Sequence, residues 1–461
     1  MENTHKVFPA QKGACTNMQH STVLNVALLI STVSASFVGA KYFGISVPVA
    51  GQLPLIIYVA LRGGSRIKLP YKSPVLWFAI TAAFSSLISL FLPYWNLDGY
   101  VSGNTAFFIT CTAVTVPLII AIYNLPDGYR SLRWALTWAC RFECIWGLAQ
   151  LVIYTIFSVN ISQVVFGDML HLTNTNDWLT IYNAGTAIDV RTEMRLTGTT
   201  QDGAFFGLFV VIGLVLDDSK LMKIAYIIAA IVGVQRATLV CMAVVFSAYA
   251  VIWLRSAKER NRRRSFTAMD FLLFIVGVGI VTIVFVRYGD IIFARMALTL
   301  ARFNVTGNDG TDRHLMYVPW ILSILLISRP NVMLFGVGLR SSGVLLSDSH
   351  GPYYRFLNSY MQGGRSWAVE SDVASVFGGC GFVGGIVYIY MFCHFLKWCN
   401  RDCKVLAIAI LCFAAMYDFS SLMIGFLIYS LLMANIKENR KIASEDLSFA
   451  RSSTCRGAAH V

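Results

Sequence analysis

The chain has 461 residues, of which 56% are hydrophobic and 13% are charged, and its mean hydropathy is +0.63. Soluble domains carry about 25% charged residues, so this composition excludes a soluble protein and indicates an integral membrane protein. The formal net charge of +13 does not indicate nucleic acid as a partner, because the basic residues fall in loops between apolar runs, where they set membrane topology or contact anionic lipid.

Apolar runs of near-membrane length predict an all-α, polytopic bundle of about twelve transmembrane helices. In chain order the runs cover 22–40, 45–61, 74–92, 104–124, 134–157, 203–216, 221–235, 237–254, 268–287, 370–396, 405–417 and 420–436. The first run follows a polar leader and is followed at once by others, so we expect no cleavable signal peptide. Residues 1–461 then form a single integral membrane domain.

The distribution of Lys and Arg predicts the orientation of this bundle. The basic residues are concentrated at 62–72, 130–133, 255–264 and 397–404 and in the tail from Lys437. With twelve helices these segments all fall on one side, and cytoplasmic loops carry the excess of Lys and Arg. Both termini are therefore predicted to be cytoplasmic. Membrane lipid is expected to surround the bundle.

The cysteines and acidic pairs predict neither disulfides nor a metal site. All eleven cysteines fall in predicted helices or on the cytoplasmic side, so we interpret them as packing residues. Asp217 and Asp218 are adjacent but cytoplasmic, while Asp309 and Asp312 lie in a glycine-rich turn without EF-hand spacing. No metal and no cofactor is expected.

Two long segments on the outer side interrupt the rhythm of helices and short loops. They run from about 158 to 202 and from about 288 to 369, and both are too rich in apolar residues to be disordered. Ordered loops of this length are usually functional. We expect both to fold against the outer mouth of the bundle, with a short interfacial or buried helix at 315–327 inside the second.

The positive charges predicted on the outer side are almost all arginine, whose planar fork of donors matches phosphate. Arg195 in EMRLTGTTQDG, Arg236 in GVQRAT and Arg313 in GTDRHLMY lie at the ends of apolar runs, and Arg340 and Arg365 are further candidates. An ionisable group at membrane depth is costly, so its presence there predicts a function. Helix N-termini also favour the binding of anions. The alternative for each arginine is an ion pair with a loop carboxylate or a lipid headgroup.

Two further charges, Arg141 and Glu143, lie inside the fifth predicted helix. An unpaired charge inside a membrane-spanning helix is costly. We expect a structural role for both, either as a pair across the bundle or at the cytoplasmic interface.

The order of these features resembles the O-antigen polymerase and O-antigen ligase superfamily of bacterial lipid-linked glycan transferases. The resemblance covers about 200 residues and is carried by RLTGTTQDGAFFGL, VQRATL, RHLMYVPWIL, LFGVGL and ESDVASVFGGCGFVGGIVYIY at 370–390. It implies an inverting, metal-independent glycosyl transfer on the periplasmic face of a bacterial inner membrane. The expected donor is an oligosaccharide on undecaprenyl pyrophosphate, and the product is O-antigen, capsule or exopolysaccharide.

The resemblance also implies roles for individual residues. Arg195, Arg236 and Arg313 match arginines of the family's motifs and would stabilise the departing pyrophosphate. Ligases in this superfamily place a histidine shortly before the glycine-rich helix, whereas this chain has Glu370 and Asp372 there. That difference favours a polymerase over a ligase.

The general base that activates the attacking hydroxyl is expected to be Glu370. His350 and His314 are the next choices, and Asp372 is a further candidate. The alternative for Glu370 is an ion pair that caps the following helix near its positive end.

Two other functions stay open from the sequence. One is an O-antigen ligase that transfers glycan to lipid A core, and the other is a polysaccharide flippase or another multispan transporter. The long outer segments and the shortage of charges within helices favour the polymerase. A polymerase of this kind would work with a flippase and a chain-length regulator as partners.

Overall fold

The protein is mostly helical in the computed structural model, which describes residues 14–63, 67–92, 94, 99–173, 181–183, 192–194, 196–200, 203–233, 236–259, 310–347, 369 and 371–457. Within these residues the strands form two short antiparallel pairs. Strand β1 (Lys41–Tyr42) pairs with β2 (Ile45–Ser46), and β3 (Ile181–Asn183) pairs with β4 (Thr192–Met194). The second pair lies in the first predicted outer segment and leads into the loop at 196–200.

The first half of the chain forms seven α-helices in the described residues. They are α1 (Ala14–Ser36), α2 (Val47–Ala50), α3 (Leu53–Gly63), α4 (Pro74–Ser89), α5 (Tyr100–Thr110), α6 (Val116–Asn124) and α7 (Gly128–Phe157). Ser73 caps α4 by accepting a hydrogen bond from the Leu76 amide, and Pro74 occupies the first helical position. A π-helical turn at Cys111–Thr115 joins α5 to α6 just before Pro117, which has no amide hydrogen to donate.

The second half contributes α8 (Gly203–Leu216), α9 (Lys220–Val232), α10 (Arg236–Glu259), α11 (Gly310–Ile327), α12 (Pro330–Phe335), α13 (Val344–Ser347), α14 (Asp372–Trp398), α15 (Arg401–Met416) and α16 (Met423–Gly457). Every residue of α8 is buried, as expected for a helix that is apolar on all sides. It packs against α7, α9, α10 and α15. This helix therefore lies at the centre of the core.

Some of the helices are long and apolar enough to cross a membrane. In the described residues these are Tyr100–Asn124, Gly128–Phe157 and Asp372–Trp398, and further apolar helices are shorter. Large apolar side chains are exposed on many helices, including Leu61 at 82%, which is the surface that lipid covers in a membrane protein. Length and composition thus support a membrane protein.

Helices occur in each apolar run predicted from the sequence except 268–287, which lies outside the described residues. Several boundaries differ from the prediction, and two of them bear on the site. The helix predicted at 315–327 begins earlier, at Gly310, and the one predicted from 370 begins at Asp372. Ser371 is the N-cap of this helix, because its hydroxyl accepts a hydrogen bond from the Ala374 amide. The hydrogen-bonding cap is therefore Ser371, one residue after Glu370.

The helix α14 is broken at Gly381, whose φ of 63° and ψ of −165° are not helical. The segment LFGVGL packs against the break, and its Val337 and Gly338 amides donate to the carbonyl oxygens of Gly378 and Gly379 at 3.1 and 2.8 Å. A Cβ atom at Gly336 would lie 2.4 Å from the Gly379 backbone. The two glycine motifs therefore allow backbone to pack directly on backbone.

Candidate functional site

The described side chains include those of Arg340 and Asp372 among the predicted site residues. Arg195, His350, Arg365 and Glu370 lie outside the described residues. Arg236 is the first residue of α10, and Arg313 and His314 lie near the start of α11, but the positions of these three side chains are not described. The geometry of the site is therefore built on Arg340, Asp372 and their surroundings.

Asp372, the first residue of α14, is fully buried and connects α14 to the link between α15 and α16. Its carboxylate accepts hydrogen bonds from the Tyr388 hydroxyl at 2.5 Å, the Phe419 amide at 3.1 Å, and the Ser420 amide and hydroxyl at 2.7 Å each. Four donors on one carboxylate fix its orientation and offset part of the cost of burying it. Asp372 therefore holds the start of α14 and the start of α16 together.

Asp418 lies in that link and provides a second carboxyl group beside Asp372. The Ser375 hydroxyl donates to Asp418 Oδ2 at 3.1 Å, whereas Asp418 Oδ1 is buried and accepts from no donor group within the described part of the chain. Burial, and next the negative charge of Asp372, raise the pKa of Asp418 well above its usual range. A buried acceptor oxygen without a donor can take up a proton or a hydrogen bond from a hydroxyl group.

Arg340 brings a positive charge to the same place from the 3-10 turn Leu339–Ser341. Its Nη2 donates to the Ser421 carbonyl oxygen at 3.4 Å. Burial lowers the pKa of the Arg340 guanidinium, and the charge of Asp418 opposes this effect. We call Arg340, Asp372 and Asp418 the Asp372 cluster. It combines one cation with two carboxyl groups at the end of the bundle where α14 begins.

The sequence indicated Arg340 and Asp372 as candidates but did not indicate Asp418. Asp418 follows the apolar run of α15 in YDFSS, and α16 starts five residues later. The sequence does show that Asp418 is an ionisable residue between two apolar runs, and such a position could have indicated a functional residue. Its partners could not be read from the sequence, because Ser375 and Arg340 are distant along the chain.

A second polar region is formed by the loop at 196–200, which follows Arg195. All five of its residues are buried. The amide and the hydroxyl of Thr200 both donate to the Thr197 carbonyl oxygen, at 3.0 and 2.6 Å, so residues 197–200 form a tight turn. Gly198, the second residue of the turn, has a φ of 62°, as turns of the primed types require.

Replacing Gly198 with alanine is expected to displace this turn. A Cβ atom there would lie 2.1 Å from Glu143 Oε2, and the positive φ adds strain for any L side chain. We expect a loss of about 3 kcal/mol or more in the free energy of unfolding, measured by thermal unfolding of the purified protein. Gly103→Ala is the control, because a Cβ atom at Gly103 meets open space. Equal stability of both variants would contradict the assigned turn geometry.

Two residues before Glu143 on α7, Arg141 pairs with the fully buried Asp217. The Arg141 Nε and Nη2 atoms donate to the two Asp217 carboxylate oxygens at 2.7 and 2.8 Å, and the guanidinium stacks over Trp138. Burial by itself raises the pKa of the Asp217 carboxyl, but hydrogen bonds from Arg141 and the Ser219 amide outweigh burial and hold the pKa below its usual range. Arg141 thus has a structural partner.

A cavity of about 720 Å³ opens beside this pair. It is lined by Arg130, Arg133 and Arg141, each of which is already paired with a carboxylate. The balanced charges leave no free cation for an anionic ligand among these lining residues, and we assign no site there.

Replacing Arg141 with alanine is expected to destabilise the protein by about 2 kcal/mol, because it leaves the buried Asp217 carboxylate unpaired. Since the folded pKa of Asp217 is depressed, the pair's contribution is present above the unfolded value of about 4 and is lost as pH falls through the folded pKa. Thermal unfolding at pH 7 and near pH 3 measures both effects. Arg130→Ala is the control, because Arg130 is 76% exposed and such pairs contribute less than about 1 kcal/mol. Equal destabilisation by both variants at pH 7 would contradict this account.

Comparisons with known proteins add no assignment to this geometry. The sequence matches no protein-family model, and a search of curated proteins finds no significant match.

Proposed function

We propose that the chain polymerises undecaprenyl-pyrophosphate-linked oligosaccharide repeat units on the periplasmic face of a bacterial inner membrane. The reaction is an inverting, metal-independent glycosyl transfer that builds O-antigen, capsule or exopolysaccharide. The observation that carries the proposal is the convergence of Arg340, Asp372 and Asp418 where α14 begins. This position is two residues after Glu370 and adjoins the two glycine motifs of the resemblance.

The chemistry of the reaction requires cations for the departing pyrophosphate and a base for the attacking hydroxyl. Arg340 supplies a cation in the Asp372 cluster, and Arg195, Arg236 and Arg313 are the proposed pyrophosphate ligands. The four hydrogen bonds to Asp372 occupy its oxygens, so Asp372 supports the site and does not serve as the base. Glu370 remains the proposed base, and His350 and His314 remain the next choices.

The proposed orientation rests on the positive-inside rule. The basic segments at 62–72, 130–133 and 397–404 adjoin the start or end of α3, α4, α7, α14 and α15. Asp372 lies at the start of α14, and residues 397–404 begin at the other end of that helix. Residues 397–404 also include the start of α15, and Asp418 follows the end of α15. If that basic segment is cytoplasmic, the Asp372 cluster is periplasmic. Its proposed partners are the lipid-linked oligosaccharide, a flippase and a chain-length regulator.

Deletion of the gene in its native host tests the proposal. Surface and lipid-linked glycans are separated by chain length on a gel, and we expect glycans that stop at one repeat unit. Wild type restores the ladder, whereas Arg195→Ala and Glu370→Ala, present at wild-type amounts, do not. Long chains retained on the carrier lipid would identify a ligase, and an unchanged ladder would reject the glycan function.

One observation favours a transporter as the second candidate. Broken helices and buried carboxyl groups are common in secondary transporters, and α14 combines a break at Gly381 with the neighbouring Asp372 and Asp418. In the same deletion strain, a flippase would leave complete repeat units on the cytoplasmic leaflet. Protection of these units from a periplasmic glycosidase would favour this second function.

A further inference from the structure

We infer that Glu143 and Gln150 of α7 are positioning residues that hold the loop at 196–200 and thereby place Arg195 for a pyrophosphate ligand. The ligand in this inference rests on the proposed function. The geometry of the loop is independent of the proposed function, because it is given by contacts between α7, the end of α1 and residues 196–200.

The loop needs such partners because it is polar and buried. Thr199 is fully buried and Thr197 and Thr200 are at most 8% exposed. A backbone segment without regular secondary structure leaves amide and carbonyl groups without partners, and burying an unsatisfied group costs about 1–3 kcal/mol. The neighbouring helices therefore have to supply the missing donors and acceptors.

Gln150 binds both backbone groups of Gly198. Its side-chain Nε2 donates to the Gly198 carbonyl oxygen at 2.8 Å, and its Oε1 accepts from the Gly198 amide at 3.0 Å. The Ser162 hydroxyl donates weakly to the same carbonyl oxygen at 3.4 Å. This two-point contact fixes the peptide groups on both sides of Gly198, as a neighbouring strand would.

Glu143 binds the next residue of the loop. Its Oε2 accepts from the Thr199 amide at 2.9 Å, and its Oε1 accepts from the Thr199 hydroxyl. The Ser36 hydroxyl at the end of α1 also contacts the Thr199 hydroxyl at 3.0 Å. Glu143 is fully buried. A buried acid inside a long helix is therefore used to hold backbone and hydroxyl donors of the loop.

The two side chains act from one rigid face. Positions 143 and 150 are seven residues apart and lie on the same side of a helix, and Gly147 between them leaves room for Phe206 of α8. Leu196, next to Arg195, is 1% exposed and belongs to the main core. The loop at 196–200, which follows Arg195 in the chain, is therefore fixed relative to α7.

The experiment measures binding of undecaprenyl pyrophosphate to the purified full-length protein in nanodiscs. We expect Glu143→Ala and Gln150→Ala each to weaken binding about 10-fold or more, as losses of supporting contacts do at other sites. Glu143→Gln keeps an acceptor for the Thr199 amide and a donor for its hydroxyl, so it should stay within about 3-fold of wild type. Thr155→Ala is the matched control on the same helix, since the exposed Thr155 hydroxyl donates to the Leu151 carbonyl oxygen of its own helix.

A double variant separates positioning from a general loss of structure. If Glu143 acts through Arg195, Glu143→Ala should weaken binding little further in an Arg195→Ala background. Additive losses, or failure of Glu143→Gln to restore binding, would overturn the inference. Thermal unfolding of every variant shows whether it is folded under the conditions of the binding measurement.

Hydrogen exchange distinguishes this inference from the proposed function. In peptides that contain residues 196–200, Glu143→Ala and Gln150→Ala should speed amide exchange about 10-fold or more, and Glu143→Gln should not. Unchanged exchange would show that the two side chains do not hold the loop. If wild type binds no undecaprenyl pyrophosphate, the proposed function and the ligand both fail, while exchange still decides the role of the two side chains.

Discussion

Arg340→Ala is expected to reduce chain growth about 100-fold or more, the loss typical of removing one preorganised charge from an active site. The substitution removes the described cation of the Asp372 cluster and leaves the carboxyl groups of Asp372 and Asp418 facing each other. It also leaves the Asp418 carboxyl group without the nearby positive charge of Arg340, so the protein should lose stability. The measurement is the length of lipid-linked glycan formed by purified protein, together with its thermal unfolding.

Two further variants serve as controls for Arg340→Ala. Arg329→Ala removes an exposed arginine from the residue before α12 and should leave chain growth unchanged. Arg340→Lys keeps the positive charge but not the planar fork, so it should restore stability more fully than activity. Normal chain growth by a folded Arg340→Ala protein would exclude Arg340 from the site.

The helical architecture was predictable because hydropathy depends on local composition alone. Runs of apolar residues long enough to cross a bilayer have few alternatives to a helix, and the described helices follow those runs. Boundaries were less accurate where a cap decides them. At the start of α14 the apolar pattern predicts 370, whereas the Ser371 hydroxyl sets the first helical residue at Asp372.

The contact partners of the glycine motifs could not be predicted from the sequence. LFGVGL and GGCG were each visible in the sequence as glycine-rich segments, and glycine allows a close approach of backbone. Their actual contact is with each other, through the Gly336 and Gly379 backbones. Nearly 40 residues separate the two motifs in the chain. No local pattern of the sequence shows which distant segment will pack against a glycine.

The polar residues were predicted individually and not as groups. Arg340 and Asp372 were candidates, but the sequence does not show that Asp418 lies beside both. Arg141 and Glu143 were expected to have structural roles together, and the structure gives them separate partners, Asp217 and the loop at 196–200. Pairing between distant polar groups depends on tertiary packing, which a single sequence does not reveal.

Asp418→Asn is expected to remove a pH dependence of stability that wild type shows above about pH 4. Burial and the charge of Asp372 raise the folded pKa of Asp418 well above the unfolded value of about 3.9. A group whose folded pKa is raised contributes stability that is fully present below the unfolded pKa and is lost as pH rises through the folded pKa. Because asparagine does not ionise, its variant lacks this loss, which approaches about 1.4 kcal/mol per pH unit.

Thermal unfolding of wild type and Asp418→Asn from pH 4 to pH 9 tests this prediction. The two curves should diverge as pH rises, with the variant the more stable protein at the upper end. Asp218→Asn is the control, because the Asp218 side chain is 90% exposed and its removal should leave the slope unchanged. Parallel curves for wild type and Asp418→Asn would mean that Arg340 keeps Asp418 ionised in the folded protein. In that case Asp418 and Arg340 form an ordinary ion pair, and the Asp372 cluster has no carboxyl group that takes up a proton near neutral pH.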